Sequence, residues 1–127
     1  MEYLTLDDIL EIRDRVSAAA NDRFEVMSPN GLLSALAAPR RSAFGAEAFP
    51  TLAEKAGALV YALIQNHPFW DGNKRVALVA LGAALALNGA RLTATNDQAY
   101  TTIMALARGE IGREELAAWV DQHSSEL

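Results

Sequence analysis

The sequence predicts an all-α fold, a single-domain bundle of about six helices spanning residues 1–127. Three observations predict it. The chain has 127 residues, the size of one domain. Half of those residues (51%) are hydrophobic, enough to fill a core. The apolar positions recur at helical spacing between capping and breaking signals, and no internal repeat, linker or low-complexity tract interrupts them.

Each element follows from local chemistry. Thr5 caps a first helix with Asp8 as its capping-box partner, and Leu6, Ile9, Leu10 and Val16 share one face. Residues 21–27 are polar and read as a connection. A short helix over about 30–38 is stopped by Pro39. PRRSAFGAEAFP, residues 39–50, is bracketed by prolines around a central glycine, so it reads as a loop or short irregular hairpin. A helix over about 51–65 carries a stripe of Leu52, Ala56, Leu59, Val60 and Leu63. A polar loop then leads to a helix over about 73–87 that is apolar all round after its first turn. This helix is expected at the centre, its alanines and Gly82 letting neighbours approach closely, with Asn88-Gly89 ending it. An extended piece over 91–95 precedes a helix over about 96–108 ended by Gly109. The last helix, over about 113–122, opens with acidic residues that suit its dipole.

Charge and composition exclude several functions. A net charge of −5 argues against direct binding of nucleic acid or of an anionic membrane. The absence of cysteine excludes disulfides and thiolate zinc sites and is consistent with a reducing cytoplasm. With His67 and His123 as the only histidines, a multi-histidine metal site is not expected. The acidic start MEYLTLDDIL does not resemble a signal peptide, and the apolar run Val76–Leu87 falls short of the roughly 20 residues of a membrane span. A cytoplasmic protein without membrane contact is the expectation.

The chemistry concentrates in HPFWDGNKR, residues 67–75, just before the most apolar helix. A helix N-terminus offers unpaired N–H groups and the positive end of a dipole. Gly72 lets a ligand approach or takes positive φ; Asn73 either caps the helix or donates its amide; Lys74 and Arg75 add two charges. The sum is an anion cradle whose charge density suits several phosphates. Asp71 would repel such a ligand unless a divalent cation lay between them, and Mg²⁺ is commonly held by one or two carboxylates plus phosphates. The bland alternative has Asp71 capping the helix or pairing with Arg75. His67 is either a structural hydrogen-bonding group or a base, since an imidazole with its reference pKa of about 6.5 accepts a proton at neutral pH. Base, metal ligand and anion cradle together are the parts of a phosphoryl- or nucleotidyl-transfer site. Phe69 is expected to anchor the loop in the core, and Trp70 either packs or stays partly exposed.

HPFWDGNKR resembles the motif of the Fic/Doc (Fido) superfamily, HPFxxGNxR in its broad form. Asp71 before the glycine and Lys74 between Asn73 and Arg75 make it similar to the death-on-curing (Doc) toxin branch, HxFx(D/N)(A/G)NKR. YLTLDDILEI, GLLSALAAP, FPTLAEKAGAL and the ARGEI–AAW ending also look like Doc-family segments, so the resemblance covers nearly the whole chain. It implies the family's small all-α fold. It implies His67 as catalytic base, Asp71 as Mg²⁺ ligand, and Gly72, Asn73, Lys74 and Arg75 as holders of nucleotide phosphates. Relatives of the Fic branch transfer AMP to protein hydroxyls; in the Doc branch the lysine is associated with a reversed nucleotide and transfer of the terminal phosphate. The implied co-substrate is therefore ATP. The implied target is a threonine of elongation factor Tu, whose phosphorylation stops translation.

The resemblance also implies an accessory role for Glu54, as a contact to Lys74 across the site, against the alternative of a surface glutamate. Gln65 stands where some Doc proteins have an arginine, removing one cationic phosphate contact. Residues 39–50 lie where the family has its target-docking flap, with Arg40 and Arg41 either gripping an acidic target or forming a solvated basic pair. The chain lacks the (S/T)xxxE(G/N) inhibitory motif of many Fic proteins. The resemblance therefore implies an external antitoxin whose disordered tail folds on binding. AMP transfer and a nucleotide-binding module without turnover are the competing functions.

Overall fold

Side-chain caps start most of the helices. In the computed structural model, which describes residues 1–127, Thr5, Ser28, Thr51 and Thr95 each accept a hydrogen bond from the backbone three residues on. Thr5 with Asp8 forms the expected capping box. The helices are α1 (Leu6–Ala20), α2 (Pro29–Ala37), α3 (Leu52–Asn66), α4 (Asn73–Leu87), α5 (Asn96–Ala107) and α6 (Arg113–Gln122). Pro39 does not end α2 abruptly; the chain tightens into a 3₁₀ turn at Ala38–Arg40. No helix is long and apolar enough to cross a membrane.

Residues 39–50 form the hairpin alternative. Strands β1 (Ser42–Ala43) and β2 (Ala46–Glu47) pair antiparallel around Phe44-Gly45. Both turn residues have positive φ, +52° and +78°, as a two-residue hairpin of the primed type requires. At the other end of the chain, β3 (Ala90–Leu92) pairs antiparallel with β4 (Ser124–Glu126), tying the C-terminus to the end of α4.

The centre of the bundle is α3 rather than the expected helix at 73–87. It packs on α2, α4 and α6 and buries ten of its 15 residues. The α4 helix buries six of its 15 and leaves Val79 and Leu87 exposed, so its apolar surface is wider than the cover that α1, α3 and α5 provide. Gly82 accordingly faces open space, and the expected close approach there does not occur. A close approach occurs instead at Gly57, where a Cβ would meet Ala117 of α6 at 3.4 Å. One continuous cluster of 27 buried residues runs through all six helices, from Leu4 to Val120.

The same packing holds the turn between α3 and α4 in place. Phe69 is 2% exposed and joins this core. Residues 24–28 brace the turn from outside: Met27 and Ser28 donate N–H bonds to the Pro68 carbonyl at 2.8 and 3.1 Å, and Trp70 N–H donates to Glu25 at 2.8 Å. These three bonds pair backbone groups of the turn with a segment distant in sequence.

Candidate active site

His67 ends α3 because a residue before proline is pushed out of the helical region. It takes left-handed backbone angles, φ 46°, and its ring turns back over the helix end. Nδ1 lies 3.0 Å from the Ile64 carbonyl. A carbonyl can only accept, so Nδ1 carries the proton and Nε2 keeps its lone pair in the neutral ring. The structural hydrogen bond and the basic nitrogen, posed as alternatives by the sequence, thus belong to the same imidazole.

Asn73 neither caps α4 nor offers its amide freely. Its side chain is buried, with Oδ1 accepting from Phe69 N–H at 3.1 Å and Nδ2 donating to the Phe69 carbonyl at 2.9 Å. This pair of bonds clamps the loop shut over five residues, so Asn73 shapes the site and its backbone, not its amide, opens the helix. Gly72 is the N-cap, with φ +74° and no side-chain cap bond. The N–H groups of Asn73, Lys74 and Arg75 consequently have no partner within the protein. Asp71 accepts Gly72 N–H at 2.7 Å on one carboxylate oxygen and does not pair with Arg75. The ion pairs of the fold lie elsewhere, leaving Lys74 and Arg75 uncompensated at the positive end of α4.

These residues line one cavity of about 570 Å³. His67, Asp71, Gly72, Asn73, Lys74 and Arg75 all reach it, as does the uncharged Gln65. Three aromatic residues complete its wall: Trp70, which takes the exposed alternative, and two not singled out from the sequence, Phe24 from the α1–α2 connection and Tyr100 of α5. Asp71 is the single carboxylate of the lining, and no group of three or more His, Asp or Glu is assembled anywhere. The donor set therefore fits a Mg²⁺ shared between one carboxylate and the oxygens of a bound anion, not an all-protein cage.

Glu54 does not belong to this cavity. It stands in the first turn of α3, where Thr51 Oγ1 donates to its carboxylate at 2.9 Å, whereas His67 follows the last. At about 1.5 Å per residue the two ends lie roughly 20 Å apart. A contact to Lys74 is out of reach, and Glu54 lines a separate cavity of about 450 Å³ beside Arg113 and Asp121. The hairpin rises at that same end, held by Lys55, which is 3% exposed and donates to Glu47 at 2.9 Å and to the Phe49 carbonyl. No hairpin residue lines the His67 cavity. Arg40 stacks its guanidinium 4.6 Å over the Tyr3 ring.

Comparison with known proteins identifies the family. Residues 3–85 match the sequence profile of the Fic/DOC family. The chain is 38% identical over 96 residues to the Toxin Doc of Mycolicibacterium smegmatis, covering 76% of this chain and 72% of that protein. A shared profile across the whole motif loop and its two flanking helices, on an all-α bundle with the loop at the head of α4, means that this chain belongs to the Fic/DOC family.

Proposed function

We propose that this protein is the toxin of a toxin–antitoxin module and a protein Ser/Thr kinase. In this reading it transfers the terminal phosphate of ATP to a hydroxyl of a protein, a threonine of elongation factor Tu, and so stops translation. The observation that carries the reading is the pairing, in one cavity, of a histidine with a free Nε2 and an uncapped helix N-terminus bearing two unpaired cations. The likeness to a protein named Toxin Doc supports the toxin role.

The chain's residues divide the work. The open N–H groups of α4, with Lys74 and Arg75, hold phosphate oxygens and take up charge as it develops. Nε2 of His67 accepts the proton of the target hydroxyl while that oxygen bonds to the terminal phosphorus; the bridging P–O bond breaks and ADP leaves. Asp71 would hold Mg²⁺, which would supply further charge neutralisation when bound. Lys74 fills space that a glycine would leave open, which favours the reversed nucleotide and terminal-phosphate transfer over AMP transfer.

Incubation of the chain with elongation factor Tu and ATP labelled at either the γ- or the α-phosphate tests the reading. Label is expected on the target from the γ-position only. Label from the α-position would convert the assignment to AMP transfer, and binding of ATP without transfer to any protein would leave a nucleotide-binding module. The partner that restrains such a toxin is an antitoxin whose disordered tail folds on its surface. Growth arrest on expression, relieved by co-expressing the neighbouring gene, is the expected outcome.

A further inference from the structure

Trp70 is the large side chain of the motif loop that stays outside the core. It is 59% exposed, while Phe69 beside it is 2% exposed. Its backbone is nonetheless fixed by the bond from its N–H to Glu25 and by those that hold Pro68. The indole thus projects from a braced segment into the cavity that holds His67, Gly72, Lys74 and Arg75. The other rings of that cavity are less available. Phe24 is 3% exposed and packs on Gly72, and Tyr100 is half-buried. No ring or cation of the protein covers Trp70: the stacked and cation–ring pairs are Trp119–His123, Arg40–Tyr3 and Arg113–Phe49. A bare indole on a braced backbone beside an anion cradle matches a planar ring attached to phosphates.

We propose that Trp70 stacks on the nucleobase of the nucleotide whose phosphates the α4 N-terminus holds. This rests on the phosphate-transfer reading above and adds the group that selects a nucleotide over a bare polyphosphate. Stacking tolerates any base, because each presents a π-face, so the site discriminates base against no base more than one base from another.

The test uses two anions that share phosphates and differ in the base: ATP and inorganic tripolyphosphate, each with Mg²⁺. Replacing Trp119 by Phe leaves Trp70 as the sole tryptophan. Both anions are expected to bind this chain, ATP more tightly, and ATP alone to quench the indole fluorescence. Measured by calorimetry in the full chain, Trp70→Leu is expected to weaken ATP by about fivefold to a hundredfold and Trp70→Phe by far less. Tripolyphosphate affinity is expected to stay within about twofold of the parent in both variants. Equal weakening of both anions would overturn the proposal, because Trp70 would then be shaping the cradle. Unchanged ATP affinity with a raised KM for the protein substrate would also overturn it and place the indole on the target. Failure of both anions to bind the parent chain would remove the phosphate cradle and the stacking with it; tight binding of both, insensitive to Trp70, would remove the stacking alone.

Discussion

Phe24 closes the space over Gly72: a Cβ built on Gly72 would lie 2.3 Å from the Phe24 ring. Gly72 also has φ +74°, where a side chain costs about 1–2 kcal/mol. The two constraints explain why this chain carries glycine at a motif position that the resembling pattern fills with either alanine or glycine. Gly72→Ala is therefore expected to destabilise the fold by about 2–4 kcal/mol, strain and overpacking combined. Shrinking the ring in the double variant with Phe24→Leu should recover part of that loss. Urea unfolding midpoints of the four chains measure it, and simple additivity would show that ring and glycine do not meet.

Phe24 also marks the boundary of what the sequence discloses. It sits in the polar run 21–27, and its burial depends on Gly72, far away along the chain, so no local pattern announces it. Thr5 and the acidic start of α6 were legible because capping and the helix dipole are local chemistry, and the spans 73–87 and 113–122 coincide with α4 and α6. The motif residues were legible as a constellation, but not the division of labour inside it: Asn73 clamps Phe69, a pairing that exists only once the loop has folded. Glu54 was misplaced because likeness to a family position carries no distance, whereas the rise of α3 does. Gly82 was misread because composition does not tell which face of a helix its neighbours leave open.

His67 tests the base assignment without disturbing the fold. Its φ of 46° is a conformation that asparagine tolerates, so His67→Asn should preserve helical content and change stability little. An amide in place of the imidazole has no basic nitrogen, and transfer is expected to fall by about 10²–10⁴-fold. Circular dichroism and single-turnover phosphotransfer provide the two readouts. Transfer within about tenfold of the parent would take the proton-accepting role away from His67.

Lys74 and Arg75 separate function from stability by sign. Cations in the first turn of a helix oppose its dipole, each at a cost of about 0.3–1 kcal/mol. Neither is compensated by an ion pair. Lys74→Gln and Arg75→Gln should each leave thermal stability unchanged or slightly raised while weakening tripolyphosphate binding and flattening its salt dependence. Thermal melts beside binding titrations at two ionic strengths measure both quantities. A clear loss of stability in either variant would mean that the cation serves the fold rather than an anion.

Lys55 provides the complementary control at the far end of α3. Its side chain is 4% exposed, and its partners are the Glu47 carboxylate and the Phe49 carbonyl. Glu47 is 59% exposed, so the pair is screened from one side and weaker than a fully buried one. Replacing Glu47 by Ala leaves the buried ammonium with a single acceptor, at an expected cost of about 1–2 kcal/mol. The hairpin, whose base this pair holds, should show faster amide exchange at Ala48, whose N–H bonds to the Arg41 carbonyl. Tripolyphosphate binding should not change, because no residue of the hairpin lines the His67 cavity. Loss of anion affinity in Glu47→Ala would show that the two ends of α3 are coupled and that the hairpin acts on the site from a distance.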